Sequence, residues 1–493
     1  MTDYSKYPTH HAEPEPSSMI ETFRAIGYSI KAAVADIIDN AISANAKNIW
    51  ITFDWKGEHS WLSVKDDGFG MTNEELIQAL RPGSKNPNDE RSSKDLGRFG
   101  LGLKTASFSQ CRKLTVISKT NASAVASWTW DLDFVNYSGK WDLIKYPNAL
   151  IQSLDDVSSG TVVIWNDMDR LVKHLNENDQ YALAKFLQIM EQVKLHIAMV
   201  FHRFIENRKL KIFFQQREVQ AWNPFMPDNH ATQKFPEEPL ANNQVKIRGF
   251  VLPHKSKLSE PEFRKAEGPK GWNEQQGFYI YRNERLLLAG EWLNLFRKEE
   301  HYKLARIIID LPNHLDAEWQ IDIKKSVARP PIGLRDQLKA YATKVRGQAV
   351  DVYRHKGKIL QRKYAGVQFQ PVWNEKLRHG KRFYEINRAH PILQNAFELL
   401  KNASGELNQL LKFIEETVPV SLITIKESEQ PEQQGQPFDE TDQEPVRKTM
   451  KMMFEQLVTG GKTPDMAKSI ILNIEPFNLF PHFTEFLNPS AND

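Results

Sequence analysis

The segment ADIIDNAISANA (Ala35–Ala46) decides the fold together with two later ones, KDDGFGM (Lys65–Met71) and GRFGLGLKTASFS (Gly97–Ser109). The apolar spacing of the first predicts a helix, on which Asp36 and Asn40 project from one face, one turn apart. The second predicts a strand that ends in a carboxylate, followed by glycines that let the backbone approach a ligand closely. Each segment alone is a weak signal, but their order and spacing are specific.

The composition is that of a water-soluble globular protein. The chain has 493 residues, of which 40% are hydrophobic and 26% charged, so two or three domains are expected. A formal charge of +3 does not by itself indicate nucleic acid. The single cysteine, Cys111, excludes an internal disulfide and is predicted to be a buried thiol. Because the sequence has no apolar run of about 18 to 20 residues, we expect no membrane span and a cytoplasmic location.

In this order the three segments resemble the N, G1 and G2 boxes of the GHKL ATPase superfamily, which includes gyrase B, Hsp90, MutL, sensor histidine kinases and MORC proteins. The MORC- and MutL-like branch fits best, because no dimerisation helix with a phospho-acceptor histidine precedes the first box and the Hsp90 C-terminal signature is absent. The resemblance implies an α/β fold: a Bergerat two-layer sandwich of a mixed sheet and helices, a ribosomal-S5-like transducer domain, and a mainly helical C-terminal region.

Two better-known phosphate-binding motifs do not match the glycine-rich third segment. A Walker A loop requires Gly-x4-Gly-Lys-Thr, whereas Leu103 separates Gly102 from Lys104-Thr105. A dinucleotide fingerprint would follow a strand, but a polar loop precedes Gly97. The G2 assignment predicts that backbone N–H groups at the start of the following helix contact phosphates.

The resemblance also implies catalytic roles and the cofactors ATP and Mg²⁺. Asn40 takes the position of the magnesium ligand, and Asp36 that of the general base. This base is usually Glu in the family, and the shorter Asp makes hydrolysis less certain than binding. In the transducer domain Lys325, with Lys324 as the second choice, is predicted to reach the γ-phosphate.

The other predicted contacts surround the base and the phosphates. Asp66 is expected to accept a hydrogen bond from the adenine amino group, and Thr161, in a G3-like element, to complete that network. The remaining predicted cofactor-binding residues lie in the second and third segments and in the lid loop between them: Gly68, Gly70, Met71, Ser84, Lys85, Gly97, Phe99, Gly100, Leu101, Gly102, Leu103 and Lys104.

Beyond the first domain the composition changes. The predicted order is a flexible arm (1–16), the ATPase domain (17–170), the transducer domain (171–332), a basic connector (333–390) and a helical C-terminal region (391–493) with an acidic linker (427–445). Positions 344 to 382 contain eleven Lys or Arg residues but only two acidic residues, and aromatic residues are interleaved with them. Such a pattern is typical of a nucleic-acid surface, so double-stranded DNA is a predicted partner of this segment.

Two functional hypotheses follow. In the first, Mg·ATP closes the lid and dimerises two chains into a clamp on DNA, which hydrolysis reopens; the MORC-like resemblance suggests a partner protein in a prokaryotic defence or restriction system. In the second, the chain is a nucleotide-dependent scaffold with negligible turnover. The shortened residue at position 36 motivates the second hypothesis.

Overall fold

The computed structural model describes residues 6–8, 10, 14–25, 27–83, 102–146, 154–172, 176–241, 244–312, 315–316, 318–321, 328–354, 370–378, 381–420, 423 and 442–487. The chain divides into two compact units, Met1–Tyr353 and Arg354–Asp493. No helix within these described ranges is long and apolar enough to cross a bilayer.

The first unit begins with a seven-stranded mixed sheet. Its strands are β1 (Asn48–Asp54), β2 (Trp61–Asp66), β3 (Lys113–Lys119), β4 (Ala126–Asp131), β5 (Gly160–Asn166), β6 (Lys211–Phe214) and β7 (Arg217–Glu218). They lie in the order β4-β3-β5-β2-β1-β6-β7. All neighbours are antiparallel except β1 and β6, which are parallel.

Helices cover one face of this sheet. They are α1 (Pro16–Ala25), α2 (Ile30–Ser43), α3 (Asn73–Leu80), α4 (Gly102–Phe108), α5 (Leu132–Ser138), α6 (Asp169–Val172), α7 (Gln180–Val200) and α8 (His202–Glu206). Alternate residues of β5 show the two faces: Val163 and Trp165 join the helical core, while Val162 and Ile164 form a separate small cluster. The predicted two-layer sandwich with a mixed sheet is therefore confirmed.

Local sequence explains how the two helices nearest the site begin. Ser29 caps α2, its side chain accepting a hydrogen bond from the Ala32 amide, as its position before the apolar stripe indicates. Thr72 and Glu75 form a reciprocal capping box at the start of α3. Both helices therefore start at fixed points next to the strand ends of the first sheet.

A six-stranded sheet follows in the same unit. It contains β8 (Gln233–Lys234), β9 (Glu238–Leu240), β10 (Val245–Val251), β11 (Gly277–Arg282), β12 (Arg285–Glu291) and β13 (Ala305–Leu311), with α9 (Glu260–Glu267) between β10 and β11. The order is β12-β11-β13-β10-β8, and β9 pairs with β10. Helix α10 (Ile332–Arg354) packs on it through Leu338, Tyr341 and Val345. This arrangement forms a second hydrophobic core.

Two elements lie across predicted domain limits, although the limits themselves stay predictions. Strand β6, which follows the predicted boundary at residue 170, extends the first sheet by pairing with β1. Helix α10, assigned to the connector, belongs to the core of the second sheet. In both cases the sequence shows the element but not its neighbour.

The second unit contains a hairpin and short helices. The hairpin is β14 (Trp373–Arg378) and β15 (Lys381–Ile386), and the helices are α11 (Pro391–Leu399), α12 (Ser404–Thr417), α13 (Glu444–Thr459) and α14 (Pro464–Ile471). Thr463 caps α14 and Pro464 is its first residue, as predicted. Most of the predicted acidic linker, residues 427–441, lies outside the described residues.

Candidate nucleotide site

The first and third segments meet at Asp36. Its side chain projects from α2 and is 5% exposed, whereas Asn40, one turn later, is exposed. A Cβ atom added to Gly102, the first residue of α4, would lie 3.8 Å from Asp36 Oδ2. The carboxylate therefore faces the start of α4, where helix N–H groups are unpaired by the helix itself.

The second segment places Asp66 at the end of β2. Its side chain is buried, and Oδ1 accepts a hydrogen bond from the Gly68 amide at 2.8 Å. In the sheet register Asp66 lies opposite Thr161 of β5. The two residues that the sequence links to adenine are thus direct cross-strand neighbours.

Burial sets the protonation behaviour of this carboxyl. Loss of water raises the pKa of Asp66 from its ordinary 3.8 to about 6, and the nearby charge of Asp67 acts in the same direction. Backbone N–H groups of Gly68 and Thr161 oppose the rise. Near neutral pH the carboxyl is therefore ionised and can accept a hydrogen bond inside an apolar setting.

Glycines bring the backbone close around Asp66. A Cβ atom on Gly68 would lie 2.8 Å from both Cβ and O of Ala44, and one on Gly70 would lie 1.8 Å from the Lys119 carbonyl oxygen. Gly70 also has φ of 68°, which side chains disfavour. The loop between β2 and α3 therefore requires glycine at both positions.

Ser118 was not predicted, yet its hydroxyl connects three parts of the site. It donates to the Gly160 carbonyl (3.0 Å), lies 2.8 Å from Thr161 Oγ1 and accepts from the Met71 amide at 2.9 Å. No motif marks it, because a serine inside the alternating pattern of β3 reads as an ordinary strand residue. Ser118 can make these hydrogen bonds only because β3 pairs with β5.

Asp67, the residue that follows Asp66, ties the same loop to β1. Its Oδ1 accepts from the amides of Lys47 and Asn48 at 2.7 and 2.8 Å, and Oδ2 accepts from Asn48 Nδ2 at 2.7 Å. These bonds fix the turn that joins α2 to β1. Asp67 therefore supports the loop that carries Asp66.

Lys104 has a different environment from the one its motif suggests. Its side chain is 2% exposed, and Nζ donates to the Ala79 carbonyl at 2.9 Å, near the end of α3. The neighbouring Leu103 packs on the helical core. A contact of Lys104 with phosphate, as predicted, would have to use another N–H donor of an ammonium that is buried against this carbonyl.

Several predicted residues lie outside the described residues, and their roles stay predictions. They are Ser84, Lys85, Gly97, Phe99, Gly100 and Leu101 from the predicted lid loop and the third segment, and Lys324 and Lys325, which follow β13 in the sequence.

A comparison with protein families identifies this part of the chain. The model described as "Histidine kinase-, DNA gyrase B-, and HSP90-like ATPase" matches residues 28–161, which span all three segments and Thr161. Residues 28–161 form a GHKL ATPase domain. The family recognised from the sequence is confirmed.

Two relatives of this chain agree with the predicted branch. The chain is 33% identical over 95 residues to ATPase morc-1 of Caenorhabditis elegans, covering 19% of this chain and 11% of that protein. It is 29% identical over 231 residues to the DNA mismatch repair protein MutL of Buchnera aphidicola, covering 46% and 36%. The chain thus spans about a third or less of the length of these relatives.

Among solved structures, the ATPase and transducer domains of DNA topoisomerase II from Balamuthia mandrillaris are similar over 66% of this chain and 86% of theirs. The TM-score is 0.38 and the sequence identity 12%.

The side chains of the GHKL domain suit Mg·ATP. Asn40 presents an exposed carboxamide, an oxygen ligand of the kind Mg²⁺ accepts, and Asp66 presents a buried acceptor. The tight backbone at Gly68 and Gly70 leaves the floor of the site without side-chain bulk. An Mg²⁺ ion held by Asn40 would supply positive charge that offsets the charge of phosphates.

Proposed function

We propose that this protein binds Mg·ATP in its GHKL domain and hydrolyses it. The observation that carries the proposal is the meeting of Asp36 with the start of α4, together with the pairing of Asp66 and Thr161 on adjacent strands. Asp66 binds the adenine ring, and Asn40 ligates the metal. Asp36 orients a water molecule and accepts its proton. ATP, Mg²⁺ and turnover are parts of this proposal.

The larger consequence is a nucleotide-dependent dimer that acts as a clamp on DNA. ATP closure of the predicted lid loop (81–100) and contact of Lys325 with the γ-phosphate would link the nucleotide to the second sheet. The similarity to the ATPase morc-1 and to the DNA mismatch repair protein MutL supports this reading. A partner protein from a defence or restriction system and a cytoplasmic location are further parts of the proposal. The DNA contact would lie in the basic segment 344–382.

The hairpin β14–β15 supports that DNA contact. Trp373 and Tyr384 are partly exposed, and the register places both on one face of the hairpin. Lys376 pairs with Glu385 at 3.0 Å on the opposite face. Exposed aromatic rings on one face of a hairpin suit stacking on nucleotide bases.

A second candidate is an ATP-dependent scaffold with little turnover. Asp36 is one methylene shorter than the glutamate usual in the family, so an attacking water would be held farther from the carboxylate. ATP would then lock a conformation without being consumed rapidly.

Steady-state ATP hydrolysis by the full chain, with and without duplex DNA, tests the proposal. We expect measurable turnover that DNA raises and that Asp36→Asn lowers on the order of 100-fold or more, with ATP binding retained. Asp66→Asn should abolish binding. Binding without hydrolysis in all conditions would favour the scaffold, and undiminished affinity in Asp66→Asn would contradict the site itself.

A further inference from the structure

Arg285, the first residue of β12, reaches from the second sheet to helix α2. Its Nε lies 3.1 Å from both carboxylate oxygens of Asp39, and its Nη2 lies 4.0 Å from Oδ1 of Asp36. The guanidinium therefore lies between an anchoring carboxylate and the proposed general base. The two aspartates are three residues apart on α2, so they belong to one helix face.

The guanidinium is held in place by further contacts. Its Nη1 donates to the Leu286 carbonyl at 3.0 Å, and its plane lies near the Phe201 ring, 5.9 Å from the centroid. Arg285 and Asp39 are almost fully buried, with 4% and 1% of their side chains exposed. Charges that are removed from water interact strongly, and their interaction energy depends on the distance between them. A small shift of the guanidinium therefore changes its interaction with Asp36.

The position of β12 makes this contact informative. β12 is the outer strand of the second sheet, paired only with β11 among the described strands. It also packs next to α7, which lies beside α2 in the first core. A rotation of the second sheet against α2 would therefore change the 4.0 Å separation of Arg285 and Asp36 before it disturbed either sheet.

We propose that Arg285 is a positioning residue for Asp36, so that the placement of the second sheet controls the orientation of the hydrolytic carboxylate. This proposal rests on the proposed function, since it assigns Asp36 the role of general base. Asp39 anchors the arginine and leaves its Nη2 directed to Asp36. The contact then connects the second sheet to the chemical step through chain residues alone.

The test compares Arg285→Gln and Arg285→Lys with a matched control in the full-length protein. Arg203→Gln is that control, because Arg203 of α8 also bridges to the second sheet, through Asp310 at 2.5 and 3.3 Å, and does not contact Asp36. We expect Arg285→Gln to lower kcat about 10- to 100-fold while the affinity for a non-hydrolysable ATP analogue changes less than about threefold. Arg285→Lys should restore only part of kcat, since an ammonium cannot span both carboxylates.

A second readout does not depend on turnover. Thermal unfolding of the ATP-free protein should show that Arg285→Gln and Asp39→Asn are non-additive, because they remove the same contact. Arg203→Gln should lower the melting temperature as well but keep kcat within about twofold.

The outcomes separate this proposal from the proposed function. If the unaltered chain hydrolyses ATP and Arg285→Gln does so at the same kcat, or if Arg203→Gln loses as much, Arg285 is only structural and the inference is overturned. If the unaltered chain binds no ATP, the proposed function fails and the inference fails with it.

Discussion

The buried carboxyl of Asp66 lowers the stability of the folded protein while it provides a hydrogen-bond acceptor in the site. Asp66 is held in an apolar setting where the ionised form is disfavoured, and only backbone N–H groups compensate for the lost water. The compensation is incomplete, since the pKa is raised to about 6. The folded protein therefore bears a cost at neutral pH for keeping an acceptor at the end of β2.

This cost predicts a pH-dependent effect of Asp66→Asn. Because the folded pKa exceeds that of the unfolded chain, the favourable contribution of the protonated form is complete below pH 4 and is lost as the pH rises through about 6. Asparagine keeps an acceptor for the Gly68 amide without a charge. As the pH rises from 4 to 7, we expect the free energy of unfolding of the ATP-free variant to increase relative to that of the natural protein, by at most on the order of 3 kcal/mol.

Melting temperatures of both proteins at several pH values check this expectation. A melting-temperature difference for Asp66→Asn that stays constant between pH 4 and 7 would show that the carboxyl does not titrate as described.

Individual residues also show which parts of the site could be predicted from the sequence. Asp36, Asn40 and Asp66 could be named because each lies inside a short motif. Ser118 and Arg285 could not, since their partners lie 43 and 246 residues away in the chain. Their importance arises from strand pairing and from the contact of the second sheet with α2, which no local pattern encodes.

At the scale of elements, the connection from β2 to α3 depends on glycine backbone. Gly70 lies where a side chain would meet the Lys119 carbonyl at the end of β3, so the strand ends can approach only without a Cβ atom. The same connection carries Asp66 and Met71. Any outward movement of the loop would therefore separate Met71 from Ser118.

Gly70→Ala is accordingly expected to destabilise the protein and to weaken ATP binding together. Gly139→Ala is the matched control, because Gly139 has φ of 61° but has no other atom within 4 Å of an added Cβ. The control should cost about 1 to 2 kcal/mol from backbone strain, and Gly70→Ala at least about 3 kcal/mol. Thermal unfolding and ATP-analogue titration measure both effects; equal costs would rule out the collision with Lys119.

Most elements of the fold could be predicted, because helical and alternating patterns are local. The cap at Ser29 and the strand that ends at Asp66 are examples. Sheet membership was harder: β6 is four residues long and carries no mark of its partner, so its place beside β1 follows only from the return of the chain through α7 and α8.

For the whole molecule, ATP binding is expected to change the oligomeric state. A non-hydrolysable ATP analogue with Mg²⁺ should double the mass measured by sedimentation velocity, because closure of the lid would create the dimer surface. Asp66→Asn should remain at its starting mass under the same conditions. A natural protein whose mass is the same with and without analogue, while binding it, would contradict the clamp.

The parallel pairing of β1 with β6 also governs the order in which the molecule can be completed during synthesis. Until residue 214 has left the ribosome, β1 has an open edge with unpaired N–H and C=O groups. The first sheet is therefore finished only after α7 has been synthesised, although the three segments of the nucleotide site and Thr161 precede α7 in the chain. The nascent chain must protect this edge from other strands over the length of about 145 residues between β2 and β6.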